Sequence, residues 1–150
     1  MKIDVIGLGY VGLVASACLA EKGHNVTGYD TNTEKLKSIS KSDIPFYEPN
    51  LNELVRLTIQ KQTLKLKKIE NYGDLVADAI IIAVGTPLFK MRTLDISQLQ
   101  VAIKWIISNY QNLKYYFESI NEFHRQGVKK FYSLSSSVKD QDLLKRYKKV

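Results

Sequence analysis

Residues Gly7-Leu8-Gly9-Tyr10-Val11-Gly12 have the G-x-G-x-x-G spacing, which suits a loop that holds a pyrophosphate with backbone groups. Gly7 permits a tight turn, and Gly9 lets the backbone approach a phosphate with no Cβ in the way. Gly12 lets the next helix pack closely on the preceding strand. A helix starting at this loop presents unpaired N–H groups and its positive dipole end to the phosphates. Asp30 lies 18 residues beyond Gly12, close to the spacing of about 20 at which a carboxylate accepts from ribose hydroxyls. Such a carboxylate repels a 2′-phosphate, and no arginine follows within the next turn. The pattern therefore selects NAD over NADP.

These residues need a strand, a turn, a helix and a second strand to position them. Lys2–Ile6 reads as a short apolar strand and Tyr10–Lys22 as a helix. Its small residues Ala15, Ser16, Ala17 and Ala20 permit close packing, and Gly23 stands where a glycine stops a helix. Asn25–Tyr29 reads as the second strand, closing on Asp30. Thr31-Asn32-Thr33-Glu34 has capping-box spacing and predicts a helix to Ser40. Pro45 and Pro49 make 44–49 a loop, and Asn50 with Glu53 forms a second cap pair, opening a helix of about twelve residues. Leu64–Leu66 fits an edge strand, and Ala79–Val84 a strand buried on both faces that ends at Gly85-Thr86-Pro87. Asp95-x-x-Gln98 caps a helix carrying Leu99, Ala102, Ile103, Ile106 and Ile107. The alternation predicts an α/β fold, a Rossmann-type doubly wound parallel sheet that is incomplete at its C-terminal side.

The net charge of +7 is concentrated at one end: residues 124–150 hold eight basic residues against Asp140 and Asp142. No aromatic stacking motif or recognition helix accompanies them, so a solvated tail is expected and nucleic acid is not. One cysteine, Cys18, excludes an internal disulfide framework and a cysteine-rich metal site; among small residues of the first helix, it is expected to be a buried core thiol. No metal is expected. Lys2 and the apolar run after it imitate a secretory signal, but Asp4 and three glycines interrupt it. No run is long enough for a membrane span, and a cytoplasmic location follows as the default expectation.

Three segments, GLGYVGLVASACLAEKGHNVTGYD, DIPFYEPNLNELV and ADAIIIAVGTP, strongly resemble the N-terminal domain of the UDP-glucose/GDP-mannose dehydrogenase family. The resemblance covers residues 1–108. The pairing of IPFYEPNL with VGTP is most similar to its UDP-glucose 6-dehydrogenases. It implies NAD contacts from Gly7, Gly9, Tyr10, Val11 and Gly12 of the loop, from Asp30 and Lys35 at the adenosine ribose, and from Gly85 and Thr86. It also implies a place in nucleotide-sugar metabolism. Family members oxidise the sugar C6 alcohol twice through an enzyme-bound thioester, giving UDP-glucuronate and two NADH. That needs a cysteine in a G-G-x-C-x-P-K-D-type motif, with a lysine and an asparagine, which these 150 residues do not contain. No catalytic residue is therefore assigned, and UDP-glucose is a ligand only if further domains complete the site.

From Asn109 the pattern weakens. The family's strand and S-T-V-P-V-G turn have no counterpart, and Phe131–Val138 makes a poor strand. Residues 121–127, Asn-Glu-Phe-His-Arg-Gln-Gly, faintly resemble the family's N-P-E-F-L-R-E-G, but too early in the chain to give Glu122 a role. The division expected is an NAD-binding domain at 1–108 and a divergent basic segment at 109–150. An internal deletion, a frameshift or a truncated gene would each produce it. Alternative readings are a non-catalytic NAD(H)-sensing module with the tail as an interaction surface, and a degenerate product. An exposed sheet edge in the latter favours a homo-oligomer.

Overall fold

The computed structural model describes residues 1–70, 72, 75–87, 95–110 and, for the backbone, 116–118. The expected strand at Phe131–Val138 and the segment around Glu122 lie outside the described residues. Five strands, β1 (Lys2–Ile6), β2 (Asn25–Asp30), β3 (Leu64–Lys68), β4 (Ala79–Ile82) and β5 (Tyr116–Glu118), form one parallel sheet in the order β3-β2-β1-β4-β5. The helices are α1 (Tyr10–Glu21), α2 (Thr33–Ser40), α3 (Leu51–Gln60) and α4 (Ser97–Asn109).

The order follows from handedness. Right-handed crossovers carry β1 through α1 to β2 and then through α2 to β3, so both helices cover one face. The chain then returns to the other side of β1, and α4 covers the opposite face. Two cores record this division. Ile3 and Val5 of β1 pack with Leu13, Ala17 and Ala20 of α1, Leu36 and Ile39 of α2, and Leu51 and Val55 of α3. Ile6, Ile80 and Ile82 pack with Leu99, Ala102, Ile103 and Ile106 of α4. Burying each such aliphatic side chain contributes about 1.5–3 kcal/mol before entropy is counted. Edge strand β3 carries Lys65, Lys67 and Lys68, which discourages further pairing.

Several local expectations change. Cys18 is exposed, not a buried core thiol. The face of α1 that meets the sheet is set by Gly12, Leu13, Ser16, Ala17 and Ala20, and residue 18 falls off that stripe. The N-cap of α2 is Asn32, whose side chain accepts from the Lys35 N–H at 3.0 Å, rather than Thr31 with Glu34. Asn50 precedes α3 but adopts a left-handed conformation, φ 63°, and its side chain makes no cap. Glu53 instead accepts from Arg56, at 2.9 Å from Nε and 2.5 Å from Nη2. The N-cap of α4 is Ile96, which makes no side-chain cap, rather than Asp95; Asp95, one residue earlier, accepts from the Ser97 N–H at 2.9 Å. Strand β5, absent from the sequence reading, pairs with β4 through Ile80–Tyr116, Ile81–Phe117 and Ile82–Glu118.

One buried carboxylate sits in the α4-side core. Asp4 of β1 accepts from the Tyr110 hydroxyl at 2.5 Å, and Trp105 lies between Tyr110 and Tyr29 with ring centroids 6.0 and 5.1 Å away. Burial pushes the Asp4 carboxyl above its ordinary value of 3.8; the hydroxyls of Tyr110 and Thr27 and the charges of Lys67 and Lys2 offset this only in part. A carboxyl whose folded-state pKa is raised adds stability below its unfolded value and loses it as pH rises through the folded value. Asp4→Asn removes this titration. Its urea midpoint, compared with wild type, should therefore gain steadily as pH rises above 3.8. A difference that stays constant from pH 4 to pH 8 would sink this expectation.

Candidate functional site

The carboxyl ends of β1, β2 and β4 converge on one rim. Strand order reverses there between β1 and β4, the switch point at which open α/β sheets bind ligands. Each loop glycine has its own steric reason. Gly7 has φ 94°, and a Cβ on it would lie 2.7 Å from the Ala83 carbonyl oxygen. A Cβ on Gly12 would lie 1.9 Å from the Gly7 carbonyl oxygen, so α1 seats directly on the turn. A Cβ on Gly9 would meet nothing within 4 Å. The backbone is therefore bare to open space where a phosphate would approach. Leu13 N–H makes the first helical bond, to the Gly9 carbonyl, which leaves the N–H groups of Tyr10, Val11 and Gly12 without intrahelical acceptors.

Leu8 fixes this loop to β2 in a way the sequence reading missed. Its side chain is fully buried over Gly28, where a Cβ would lie 2.6 Å from Leu8 Cδ2. A glycine inside a strand is the signal that could have revealed the close approach. The Leu8 N–H donates to Asp30 Oδ2 at 2.9 Å, and the Gly7 N–H donates to the Tyr29 carbonyl at 2.8 Å.

Asp30 closes β2 and is buried. Its Oδ2 also accepts from Lys35 Nζ at 2.5 Å, while Oδ1 accepts from the Asn32 N–H at 2.9 Å. Burial alone would raise this carboxyl, but donation from Lys35, Asn32 and Leu8 outweighs it and holds the group below its ordinary value. The acid is thus ionised at neutral pH, as an acceptor for sugar hydroxyls must be. Lys35, from the first turn of α2, reaches Asp30, the residue with which the resemblance groups it at the adenosine ribose.

On the other side of the switch point, the Ala83 N–H donates to the Ile6 carbonyl at 2.8 Å, which sets the segment after β4 against the glycine turn. Gly85 is exposed and faces Gln98 of α4, and Thr86 is half-buried beside it. Tyr10 and Val11 project from the start of α1 and are both exposed. The Tyr10 ring packs on Phe46 with centroids 5.1 Å apart, and its hydroxyl donates to Glu48. The structure therefore gathers Gly7, Gly9, Tyr10, Val11, Gly12, Asp30 and Lys35 on the β1–β2 side of the rim, and Gly85 and Thr86 on the β4 side. Among the described residues no cluster of three or more His, Cys, Asp or Glu is placed to hold a metal. No helix among them is long and apolar enough to cross a membrane.

A glycine turn, a helix N-terminus and an ionised acid at the end of β2 define a dinucleotide-binding domain of the Rossmann class. Residues 1–115 match the NAD binding domain of the UDP-glucose/GDP-mannose dehydrogenase family, and the chain belongs to that family. Over 105 residues it is 40% identical to UDP-glucose 6-dehydrogenase TuaD of Bacillus subtilis, covering 70% of this chain and 23% of that protein. Over 102 residues it is 35% identical to GDP-mannose 6-dehydrogenase of Pseudomonas savastanoi, covering 67% and 23%. Among solved structures, the UDP-D-ManNAc dehydrogenase of Pyrococcus horikoshii superposes with a TM-score of 0.75 at 26% identity, covering 91% of this chain and 32% of that one. The chain spans about a quarter of the length of the curated relatives it matches.

Proposed function

We propose that this chain binds NAD through Gly7, Gly9, Tyr10, Val11 and Gly12 at the pyrophosphate, Asp30 and Lys35 at the adenosine ribose, and Gly85 and Thr86 across the switch point. The observation that carries this reading is the pairing of bare backbone at Gly9 with an ionised, buried Asp30 fixed to the same loop through the Leu8 N–H. When bound, NAD supplies the hydride acceptor. The protein's part is to hold the phosphates on unpaired N–H groups and the ribose on a carboxylate. Because all nine residues lie before residue 109, we assign the cofactor role to 1–108; residues 109–150 form a divergent basic segment whose start, Tyr110 and β5, belongs to the same core and sheet. A cytoplasmic location fits an NAD ligand.

The activity of the whole protein follows by proposal from its relatives: oxidation of a nucleotide sugar, with UDP-glucose favoured by the IPFYEPNL and VGTP segments. These 150 residues do not supply that reaction. Hydride transfer needs substrate and nicotinamide held about 3–3.5 Å apart, and this chain's one cysteine, Cys18, is an exposed residue of α1 away from the rim. The chain is expected to melt at a higher temperature with NAD, ligand at 100 times Kd adding about 2.7 kcal/mol. With UDP-glucose and NAD it should give no absorbance rise at 340 nm. An unchanged melt in saturating NAD would overturn the binding assignment, and NADH production would overturn the inactivity.

A further inference from the structure

The segment from Ile44 to Pro49 has no task in the cofactor reading, yet it is tied to the phosphate loop. Ile44 is buried in the core beneath α1 and α3, Phe46 packs against the same core, and Leu51 anchors the start of α3. From this base Phe46 and Glu48 reach Tyr10, the first residue of α1, one by ring packing and the other by accepting its hydroxyl. The hydrogen bond to the Glu48 carboxylate also pushes the Tyr10 hydroxyl above its ordinary pKa. Tyr10 is 52% exposed. Left unheld, this first residue of α1 would have to be ordered when a phosphate binds the N–H groups of Tyr10 and Val11, and that ordering costs affinity.

We infer that Glu48 is a positioning residue for the dinucleotide pyrophosphate, acting through Tyr10, which it fixes at the start of α1 while Phe46 supports the ring. The inference rests on the reading that NAD phosphates sit at the start of α1. Losing one hydrogen bond of this kind corresponds to about a three- to tenfold change in affinity. The amide oxygen of glutamine can still accept from the Tyr10 hydroxyl, so the conservative variant should rescue.

The test uses the full 150-residue chain, with NAD and, separately, adenosine titrated against wild type, Glu48→Ala, Glu48→Gln, Tyr10→Phe and the Tyr10→Phe/Glu48→Ala double variant. Glu48→Ala and Tyr10→Phe should each weaken NAD about three- to tenfold. The double variant should be no weaker than the worse single one, and Glu48→Gln should stay within about twofold of wild type. Adenosine, which carries no pyrophosphate, should bind wild type and Glu48→Ala alike. A loss that came from general destabilisation would lower both ligands and would not be rescued by Glu48→Gln. NAD binding by Glu48→Ala equal to wild type, or additive losses in the double variant, overturns the role of Glu48 and leaves the NAD assignment standing. Absence of NAD binding by wild type overturns the assignment itself, and the role of Glu48 with it.

Discussion

Gly12→Ala should unfold at a clearly lower urea concentration than wild type and bind no measurable NAD. Alanine gains about 1 kcal/mol of helix propensity over glycine, which favours the variant. Against that, its methyl would sit 1.9 Å from the Gly7 carbonyl oxygen and 3.1 Å from Ala83 Cβ. The first of these is a backbone atom in a turn with no slack, so α1 as a whole must lift from β1. Overpacking costs typically 1–3 kcal/mol and more where backbone must move, so the steric term wins. A net loss of about 3 kcal/mol would lower Tm by about 6–12 °C in a domain of this size. Gly9→Ala is the matched control, because its methyl meets nothing within 4 Å. It should keep the wild-type urea midpoint and still weaken NAD, since the methyl fills the space a phosphate would use. A Gly12→Ala midpoint equal to wild type would show that the turn yields more easily than its contacts imply.

Asp30→Asn should weaken NAD at least tenfold. Hydrogen bonds to a charged partner contribute about 1.5–3 kcal/mol, and the amide offers one acceptor oxygen where the carboxylate offers two. That one oxygen must serve the N–H groups of Leu8 and Asn32 and the Lys35 ammonium before any sugar hydroxyl. The variant should also show a different acid profile. A carboxyl held below its ordinary value adds stability above 3.8 and loses it as pH falls through its folded value, so wild type should lose its advantage over Asp30→Asn on acidification. This trend runs opposite to that of Asp4, and urea titrations of the two variants separate them. Isothermal titration giving an NAD Kd within twofold of wild type would remove Asp30 from the site.

How much of this was readable beforehand depended on the range of the interaction. The first 40 residues carried their architecture in local signals: a short apolar strand buried from Ile3 to Ile6, glycines at fixed offsets, and Gly23 with φ 87° ending α1. Asp30 and Lys35 were legible because both lie within a few residues of one strand end. Caps were harder, since neighbouring Thr31, Asn32 and Thr33 can each serve and only the path out of β2 selects Asn32. Cys18 was misjudged because small residues surround it all along α1, which hides the helix's buried side. Contacts between distant segments were not readable: Tyr110 to Asp4 spans 106 residues and Tyr10 to Glu48 spans 38. β5 was missed because its three residues carry too little periodicity to distinguish them from aromatic neighbours.

The attachment of Leu8 has a consequence for how the site measures its ligand. Its side chain is pinned over Gly28, its N–H is held by Asp30, and the preceding Gly7 N–H is held by Tyr29, so three independent ties join the loop to β2. The separation between the proposed phosphate cradle and the proposed ribose acceptor is then set when the chain folds, before any occupant arrives. Such a site acts as a gauge of fixed span. It spends little ordering entropy on a molecule of matching length, and it turns away one that is too short or too long without touching its ends.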